Sequence, residues 1–291
     1  MLWLGESILY FSSVIVFSHE NKQCDVKSDA AGLATSSELH RQRRLVGGST
    51  CRRTERRYHV KLVATNGTHA SRCGGSLISP QWILTAAHCW EPGWTMSATV
   101  GVHPVPVEQP QVITEHEIFQ DQNQNGHDIM LLKLPKRSKI QGVALPNCRN
   151  RPTIGASVRM AGYGADRMGP NNEKLSDESS TLQCADLDIV NCTRLQNIMN
   201  MYARNPLNFK ARAKLYQHWF CVQSPGKDTC PGDSGGGMVS RGKIYGVHSF
   251  TGDPSFACTE AAGVMDVCSY MKWIKATIKE PKKSKLNCFT G

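Results

Sequence analysis

Short runs of Val, Ile and Leu alternate along most of the chain with Gly, Pro and Asn, and this pattern limits the fold more than any other feature. Residues 59–64, 97–102 and 243–250 are examples of such runs. Short apolar runs bounded by turn residues are typical of β-strands, and little helical periodicity appears before the C-terminal end. The chain has 291 residues and can bury a full core, as one large domain or two smaller units. The sequence therefore predicts an all-β protein.

The cysteine content indicates an oxidising compartment. The chain has 12 cysteines, an even number that fits disulfides and would be a liability in a reducing cytosol. A zinc site is not predicted, because no Cys-x-x-Cys pair is present and His116-Glu117 lacks the second histidine of a zinc-protease motif. We expect neither a metal nor a cofactor. The spacing of the cysteines does not fix their pairing.

A glycine-rich run at residues 228–236 contains Ser234 directly after Asp233. Glycines let the backbone turn sharply, so that a hydroxyl is exposed while nearby N–H groups converge on the oxyanion of an acyl transfer. A simple surface turn fits the run equally well. The nucleophile elbow of α/β-hydrolases, Gly-x-Ser-x-Gly, also fits, but it needs an acid and then a histidine downstream. Only His248 follows Ser234, too few residues away, so the catalytic partners must lie upstream.

Two upstream motifs supply those partners. Residues 85–89 place His88 at the end of an apolar run, and residues 127–134 place Asp128 at the start of another. Serine is a poor nucleophile at its own pKa, histidine can take its proton near neutral pH, and a carboxylate fixes the imidazole tautomer. The chain thus offers a base, an orienting acid and a nucleophile in the order His, Asp, Ser.

From Leu45 onward the chain resembles the trypsin/chymotrypsin-like serine proteases. Besides the three motifs, residues 73–78 and 161–164 match the family pattern, and residues 268–274 resemble its terminal strand-to-helix passage. The resemblance implies a protease domain over residues 45–291, with two packed six-stranded antiparallel β-barrels and a C-terminal α-helix. The active site of this fold lies in the cleft between the barrels.

The resemblance also implies the role of each site residue. His88 would be the general base, Asp128 its orienting acid and Ser234 the nucleophile. The N–H groups of Gly232 and Ser234 would form the oxyanion hole.

Five disulfides are implied by the same resemblance. The expected pairs are Cys51–Cys184, Cys73–Cys89, Cys148–Cys268, Cys192–Cys221 and Cys230–Cys258. Each would add about 2–4 kcal/mol to the stability. The remaining Cys24 and Cys288 are proposed to tether a cleaved pro-segment to the C-terminal tail.

The N-terminal region predicts secretion. Residues 8–17 form a short apolar run, well below the about 20 residues that a membrane-spanning helix needs. We expect a signal peptide over residues 1–18, although a buried strand is an alternative and Glu6 is unusual there. Two sequons, at Asn66 and Asn191, are compatible with glycosylation.

A pro-region is predicted over residues 19–44, which end in Arg-Gln-Arg-Arg directly before Leu-Val-Gly-Gly. A basic cluster also fits a solvated patch or a nuclear or heparin signal. The resemblance implies that cleavage after Arg44 frees the amine of Leu45, which pairs with Asp233 and orders the oxyanion hole and the specificity pocket. The uncut chain would then be a zymogen, and the Arg-x-Arg-Arg pattern suggests a furin-like activating protease.

Asp228 predicts the substrate preference. It lies six residues before Ser234, where trypsin-like relatives carry the acid at the base of the primary specificity pocket. A carboxylate in a narrow pocket favours an Arg or Lys side chain through a charge-assisted contact, whereas an ordinary turn aspartate is the alternative. The predicted pocket is completed by Ser249, Thr251 and Gly263. Thr251 would narrow the entrance, unless a shifted alignment places Gly252 at that wall.

Two functions of different classes follow. The first is a secreted endopeptidase that cleaves protein or peptide substrates after Arg or Lys. The second is a weakly active homologue that serves as a glycan- or partner-binding module. The net charge of +10 and the lysines of the tail, residues 275–285, fit either a solvated helix surface or attachment to an anionic glycan. No nucleic-acid motif is present, and we expect a monomer that does not span a membrane.

Overall fold

The computed structural model describes residues 46–165 and 167–279. Several predicted features lie outside the described residues: the signal peptide, the pro-region, Arg44 and Leu45 at the cleavage site, Cys24 and Cys288, and the lysines beyond residue 279.

Seven strands of the first half form one antiparallel sheet in the order β6-β5-β2-β3-β4-β8-β7. Their bounds are β2 His59–Thr65, β3 Ala70–Ser79, β4 Trp82–Thr85, β5 Thr95–Val100, β6 Gln111–Val112, β7 Glu115–Gln120 and β8 Gly126–Lys133, and β1 Ser49–Thr50 precedes them. Burial alternates along β2, where Val60, Leu62 and Ala64 face the core, as expected for a sheet with one solvated face. The apolar residues of β8 are all buried, which makes this strand the centre of the core.

The second half closes into a barrel. Its strands are β9 Ser157–Gly162, β10 Gln183–Val190, β11 Trp219–Gln223, β12 Gly237–Ser240, β13 Lys243–Phe250 and β14 Ala262–Asp266. The sheet order is β1-β10-β11-β14-β13-β12-β9, and the further pairing of β9 with β10 closes the six strands. The prediction of an all-β protein built from two β-barrel halves is confirmed, with the first half as an open, half-barrel sheet.

Contacts between the two halves position the site. Val247 and Met265 of the second half belong to the same apolar core as the first-half strands. The N–H of Gly74 on β3 donates to the carbonyl of Ser234 at 2.7 Å. His88 and Asp128 come from the first half and Ser234 from the second, so this junction brings the three together. The C-terminal helix α3, Met271–Thr277, packs against the core through Ile274.

Two helices interrupt the second barrel between β10 and β11. They are α1, Thr193–Ala203, and α2, Phe209–Lys214, a departure from the weak helical periodicity of the sequence. Leu195 and Met199 form the buried face of α1, and the side chain of Asn208 caps α2 by accepting the N–H of Ala211 at 3.0 Å.

Four of the five expected disulfides are present among the described residues: Cys51–Cys184, Cys73–Cys89, Cys148–Cys268 and Cys192–Cys221. The fifth pairing, Cys230 with Cys258, stays a prediction, and both cysteines lie in one apolar cluster with Val46.

The two sequon asparagines, Asn66 and Asn191, are exposed. Cys192 at the centre of the second sequon is engaged in its disulfide. Within residues 46–165 and 167–279, no helix is both long and apolar enough to cross a membrane.

Candidate active site

The His88 ring is fixed by the Asp128 carboxylate. His88 lies in a single 3-10 turn, Ala87–Cys89, which follows β4 and is tied to β3 by the disulfide of Cys89. Asp128 lies on β8, the antiparallel neighbour of β4. Nδ1 of His88 lies 2.9 Å from Oδ2 and 3.0 Å from Oδ1, and the backbone N–H of His88 donates to Oδ1 at 2.9 Å. Because Nδ1 faces the carboxylate, Nε2 is left as the proton acceptor.

Asp128 is an ionised carboxylate in a nearly closed environment. Its side chain is 8% exposed. Burial alone would raise its pKa, but the hydrogen bond with His88, the charge of Lys214 and the hydrogen bond from Ser249 hold the pKa well below its usual range. Ser249, predicted as a pocket residue, donates its hydroxyl proton to Oδ2 of Asp128. The structure thus places this hydroxyl at the catalytic acid.

Lys214 is a charged residue of the site that sequence reasoning missed. Its Nζ lies 3.1 Å from Oδ2 of Asp128 and donates to the hydroxyl of Ser249 at 2.8 Å. The same atom lies 4.5 Å from the ring centroid of Phe250, within the range of a cation–π contact. Trp219 holds the end of α2 in place by donating its indole N–H to the carbonyl of Lys214 at 2.8 Å. No motif in the sequence marks this lysine.

Ser234 and Gly232 line a cleft of about 300 Å³ together with His88. Among the described residues, Oγ of Ser234 makes no hydrogen bond with His88; such contacts often tighten only when substrate is bound. Gly232 has a φ of +98°, which a side chain would strain. Neither its N–H nor that of Ser234 donates to any acceptor in the described parts of the chain. Both donors are therefore available to an oxyanion in the cleft.

Asp233 is completely buried behind this loop. Its carboxylate accepts the N–H groups of Gly164 and Cys230, both at 2.9 Å. Burial raises its pKa to about 6 in spite of these hydrogen bonds. Within residues 46–165 and 167–279 it forms no salt bridge, so it is a buried carboxylate that lacks a close cation there. Val46, the residue next to the predicted new N-terminus, is buried nearby, and its carbonyl accepts the N–H of Asp228 at 3.2 Å.

Asp228 is buried and fully engaged. Its Oδ1 accepts the N–H of Thr229 at 2.6 Å, and its Oδ2 accepts the N–H of Cys258 at 2.7 Å. The ammonium of Lys174 lies 2.9 Å from Oδ2. Sequence reasoning missed Lys174 as well, because no pattern in its polar loop sets it apart.

A polar chain extends from Asp228 into the second barrel. The hydroxyl of Thr229 lies 3.5 Å from Oδ1 of Asp228, and Nε2 of His248 lies 2.9 Å from that hydroxyl. Burial lowers the pKa of His248 to about 3, so the imidazole is neutral at pH 7. The hydroxyl of Thr229 donates its hydrogen bond to the carboxylate. It therefore accepts a hydrogen bond from His248, whose Nε2 carries the ring proton.

The two remaining residues of the predicted pocket, Thr251 and Gly263, lie on and after neighbouring strands of the second barrel. Thr251 follows β13 directly and is half-buried. Gly263 on β14 pairs with Phe250, and a Cβ added to it would lie 2.1 Å from Cζ of the Phe250 ring. That ring belongs to the cluster of Leu195 and Met199 under α1. The missing side chain of Gly263 therefore makes room for Phe250, and its place in the wall of the Asp228 pocket stays a prediction.

One group of potential metal ligands lies at the site. A nitrogen of His88 and the sulfurs of Cys73 and Cys89 lie within 4.8 Å of one another. The two sulfurs are joined in a disulfide and offer no thiolate to a metal.

Comparisons with known proteins match most of the chain. Residues 45–274 match the family model Trypsin. The chain is 31% identical over 260 residues to Kallikrein-2 of Homo sapiens, covering 81% of this chain and 90% of that protein. It is 32% identical over 251 residues to Trypsin V-A of Rattus norvegicus, again covering 81% of this chain and 90% of the relative.

A solved structure has the same fold. It is neuropsin, a serine protease expressed in the limbic system of mouse brain, with a TM-score of 0.60 and 26% identity, covering 80% of this chain and 99% of that chain. With the His88–Asp128 contact and the Ser234 cleft in place, the chain belongs to the trypsin family of serine proteases and is a serine endopeptidase.

Proposed function

We propose that the protein is a secreted endopeptidase, made as a zymogen, that cleaves peptide bonds after Arg or Lys through an acyl-enzyme. The observation that carries the substrate class is the buried carboxylate of Asp228, which already holds a lysine ammonium at 2.9 Å. A site that binds one alkylammonium out of water has the charge that a basic substrate side chain needs.

The residues of the cleft supply each step of the proposed reaction. Nε2 of His88 takes the proton of Ser234 as Oγ attacks the substrate carbonyl, and the N–H groups of Gly232 and Ser234 bind the oxyanion. Asp128 stabilises the imidazolium, which gives its proton to the leaving amine. Water then enters and attacks the acyl carbon as His88 takes its proton, and the imidazolium returns that proton to Oγ of Ser234 as the acid product leaves.

The zymogen part of the proposal is supported by Asp233. Burial raises the pKa of Asp233 to about 6, so a nearby cation would stabilise its ionised form. Val46, one residue after the predicted cleavage product's N-terminus, already lies buried beside the loop. Cleavage after Arg44 would free the Leu45 ammonium to pair with Asp233 and fix the Gly232 turn. Four disulfides and the apolar N-terminal segment support passage through the secretory pathway.

Peptide cleavage tests this function. Processed protein is assayed on matched peptides with Arg, Lys, Phe or Ala before the scissile bond. We expect turnover of the Arg and Lys peptides, and the Asp228→Ser variant should lose this preference while keeping activity on the Ala peptide. A preference for Phe or Ala would overturn the assigned specificity, and no turnover by correctly processed protein would reject the enzyme. The Arg44→Gln variant should remain inactive.

A second candidate is a weakly active homologue that binds an anionic glycan or a protein partner. The pairing of both functional acids with lysines, Asp228 with Lys174 and Asp128 with Lys214, favours it. Titration of active sites decides between the two, since this candidate predicts that only a small fraction of processed chains forms an acyl-enzyme. Binding to heparin that persists at physiological salt would support the glycan partner.

A further inference from the structure

The lysine that reaches Asp228 comes from a loop that is joined to the rim of the pocket. Lys174 lies between β9 and β10, and its backbone N–H donates to the carbonyl of Ser255 at 2.8 Å. Directly before it in the chain, Glu173 forms a β-bridge with Phe256, and the carbonyl of Asn172 accepts the N–H of Ala257 at 2.9 Å. These contacts hold the loop against the segment that ends at Cys258. The backbone of Lys174 is thereby fixed within side-chain reach of Asp228.

The side chain of Lys174 is buried although its residue belongs to a polar loop. It is 1% exposed, and Asp228 is 5% exposed. Lysine is almost never fully buried without a partner, and here the partner is the acid assigned to the substrate. Nζ of Lys174 meets no hydrogen-bond acceptor with good geometry in the described residues. The ammonium is thus held by charge, with its N–H groups poorly satisfied.

We propose that Lys174 is a specificity-determining residue that occupies the cation site of Asp228 as an internal counterpart of the substrate side chain. The inference rests on the proposed function, in which Asp228 is the base of the primary pocket. An ammonium on the same chain competes at a high effective concentration, so a substrate cation must displace it. The flexible four-carbon stem of lysine allows this displacement without movement of the loop backbone.

Displacement favours arginine over lysine at the cleaved position. A substrate lysine exchanges one ammonium for another, whereas a guanidinium offers five N–H donors in a planar fork that matches a carboxylate. A buried N–H donor without an acceptor costs free energy. The poorly satisfied N–H groups of Lys174 therefore weaken its contact with Asp228, and a substrate cation displaces it more easily. Wild-type protein should therefore have a lower KM for Arg peptides than for Lys peptides.

Substitution of Lys174 tests the competition. Processed wild type is compared with Lys174→Met, with Lys174→Arg, which keeps the cation, and with Lys139→Met, an exposed control in the first half. The probes are benzamidine, an aromatic amidinium, and peptides with Arg, Lys or Ala before the scissile bond. We expect Lys174→Met to lower the Kd of benzamidine and the KM of both basic peptides at least about tenfold, because apparent affinity scales with the fraction of open pocket. The Ala peptide and Lys139→Met should show little change, and Lys174→Arg, whose guanidinium matches the carboxylate at least as well, should lower neither the Kd nor the KM.

The outcomes separate the two proposals. Equal benzamidine affinity in wild type and Lys174→Met would overturn the role of Lys174 and leave the Asp228 specificity intact. Failure of both proteins to bind benzamidine, with turnover of Ala or Phe peptides only, would overturn the proposed specificity itself.

A second measurement needs no variant and so does not depend on the folding of one. Acetic anhydride labels the lysines of wild-type protein, and mass spectrometry reports the labelling of Lys174 with and without benzamidine. We expect Lys174 to be protected in the free protein and to become reactive when the amidinium fills the site. Reactivity that benzamidine does not change would overturn the proposal.

Discussion

Two lysines bring positive charge to the two buried acids to which the proposed function gives a role, Asp228 and Asp128. Lys174 pairs with the acid assigned to substrate binding, and Lys214 lies 3.1 Å from the acid that orients His88. A cation beside Asp128 offsets part of the negative charge that would stabilise an imidazolium. Lys214 should therefore ease deprotonation of the base at low pH and oppose its protonation during the reaction.

Replacement of Lys214 should move the pH dependence of catalysis. We expect Lys214→Met to shift the acid limb of kcat/KM to higher pH, because an Asp128 carboxylate without its lysine neighbour favours the protonated base. The measurement is kcat/KM for an Arg peptide between pH 5 and 9. Lys210→Met, an exposed substitution on the same helix, is the control and should leave the limb in place. An unshifted limb in Lys214→Met would mean that this ammonium is screened from the base.

At the residue scale, the sequence singles out groups whose chemistry defines them. His88, Asp128 and Ser234 were found because a base, an orienting acid and a nucleophile in glycine-rich surroundings have few other uses in that order. Lys174 and Lys214 were not found, because a lysine in a polar loop or at the end of a short helix is usually solvated. Their burial depends on loop packing that no local pattern encodes.

The element that most distinguishes the second barrel is the pair α1 and α2. Gln217, just after α2, accepts the backbone N–H of Asp128 at 3.2 Å, and Lys214 contacts the carboxylate. Helix α1 packs against the second barrel through Leu195 and Met199, and the Cys192–Cys221 disulfide joins the start of α1 to β11. The stability of α1 is therefore coupled to the environment of the catalytic acid.

Truncation of Leu195 tests this coupling. Leu195 is 1% exposed, so we expect Leu195→Ala to lower the free energy of unfolding by about 2–4 kcal/mol, and kcat/KM should fall with it. Urea denaturation and peptide cleavage are the measurements. Met201→Ala on the exposed side of the same helix should change stability by less than about 0.5 kcal/mol. A loss of stability with unchanged kcat/KM would show that α1 stabilises the fold but does not affect the environment of Asp128.

The strands were predictable and α1 was not, for a physical reason. Strands such as β2 show alternating burial that is visible as alternating residue type. In contrast, α1 buries only Leu195 and Met199, its first turn has no acidic residue, its last turn has no basic residue, and Cys192 offers no side-chain cap. The usual start and stop signals are missing, and tertiary packing stabilises the helix.

At the scale of the whole molecule, three buried groups with large pKa shifts link stability to pH, and burial lowers the pKa of His127 as well, which acts in the same direction as the other two histidines. Burial lowers the pKa of His59 and of His248 to about 3, and it raises the pKa of Asp233 to about 6. In the unfolded chain, the ordinary pKa values are about 6.5 for histidine and 3.9 for aspartate. Between pH 6 and 4 the unfolded chain therefore carries about two protons on these histidines, while the folded chain leaves both histidines neutral and carries up to one proton on Asp233.

The net difference of one proton sets the sign. We expect the free energy of unfolding of the uncut chain to fall by at least about 1.4 kcal/mol per pH unit as the pH drops from 6 to 4. Urea denaturation across this range is the measurement. Replacement of one buried histidine, His248→Val, should make the profile shallower by up to about 1.4 kcal/mol per pH unit, since the proton that the unfolded chain binds at His248 is then lost from the difference. Stability that rises towards pH 4 in the wild type would contradict this assignment of the three groups.

Covalent labelling of the nucleophile tests the assembled site most directly. A fluorophosphonate, which reacts with activated serine hydroxyls, is added to processed protein and the modified residue is located by mass spectrometry. We expect labelling of Ser234 alone, its loss in His88→Ala and Ser234→Ala, and little labelling of the uncut Arg44→Gln chain. No labelling of correctly processed protein, or equal labelling of the uncut chain, would contradict a triad of His88, Asp128 and Ser234 that becomes competent on cleavage.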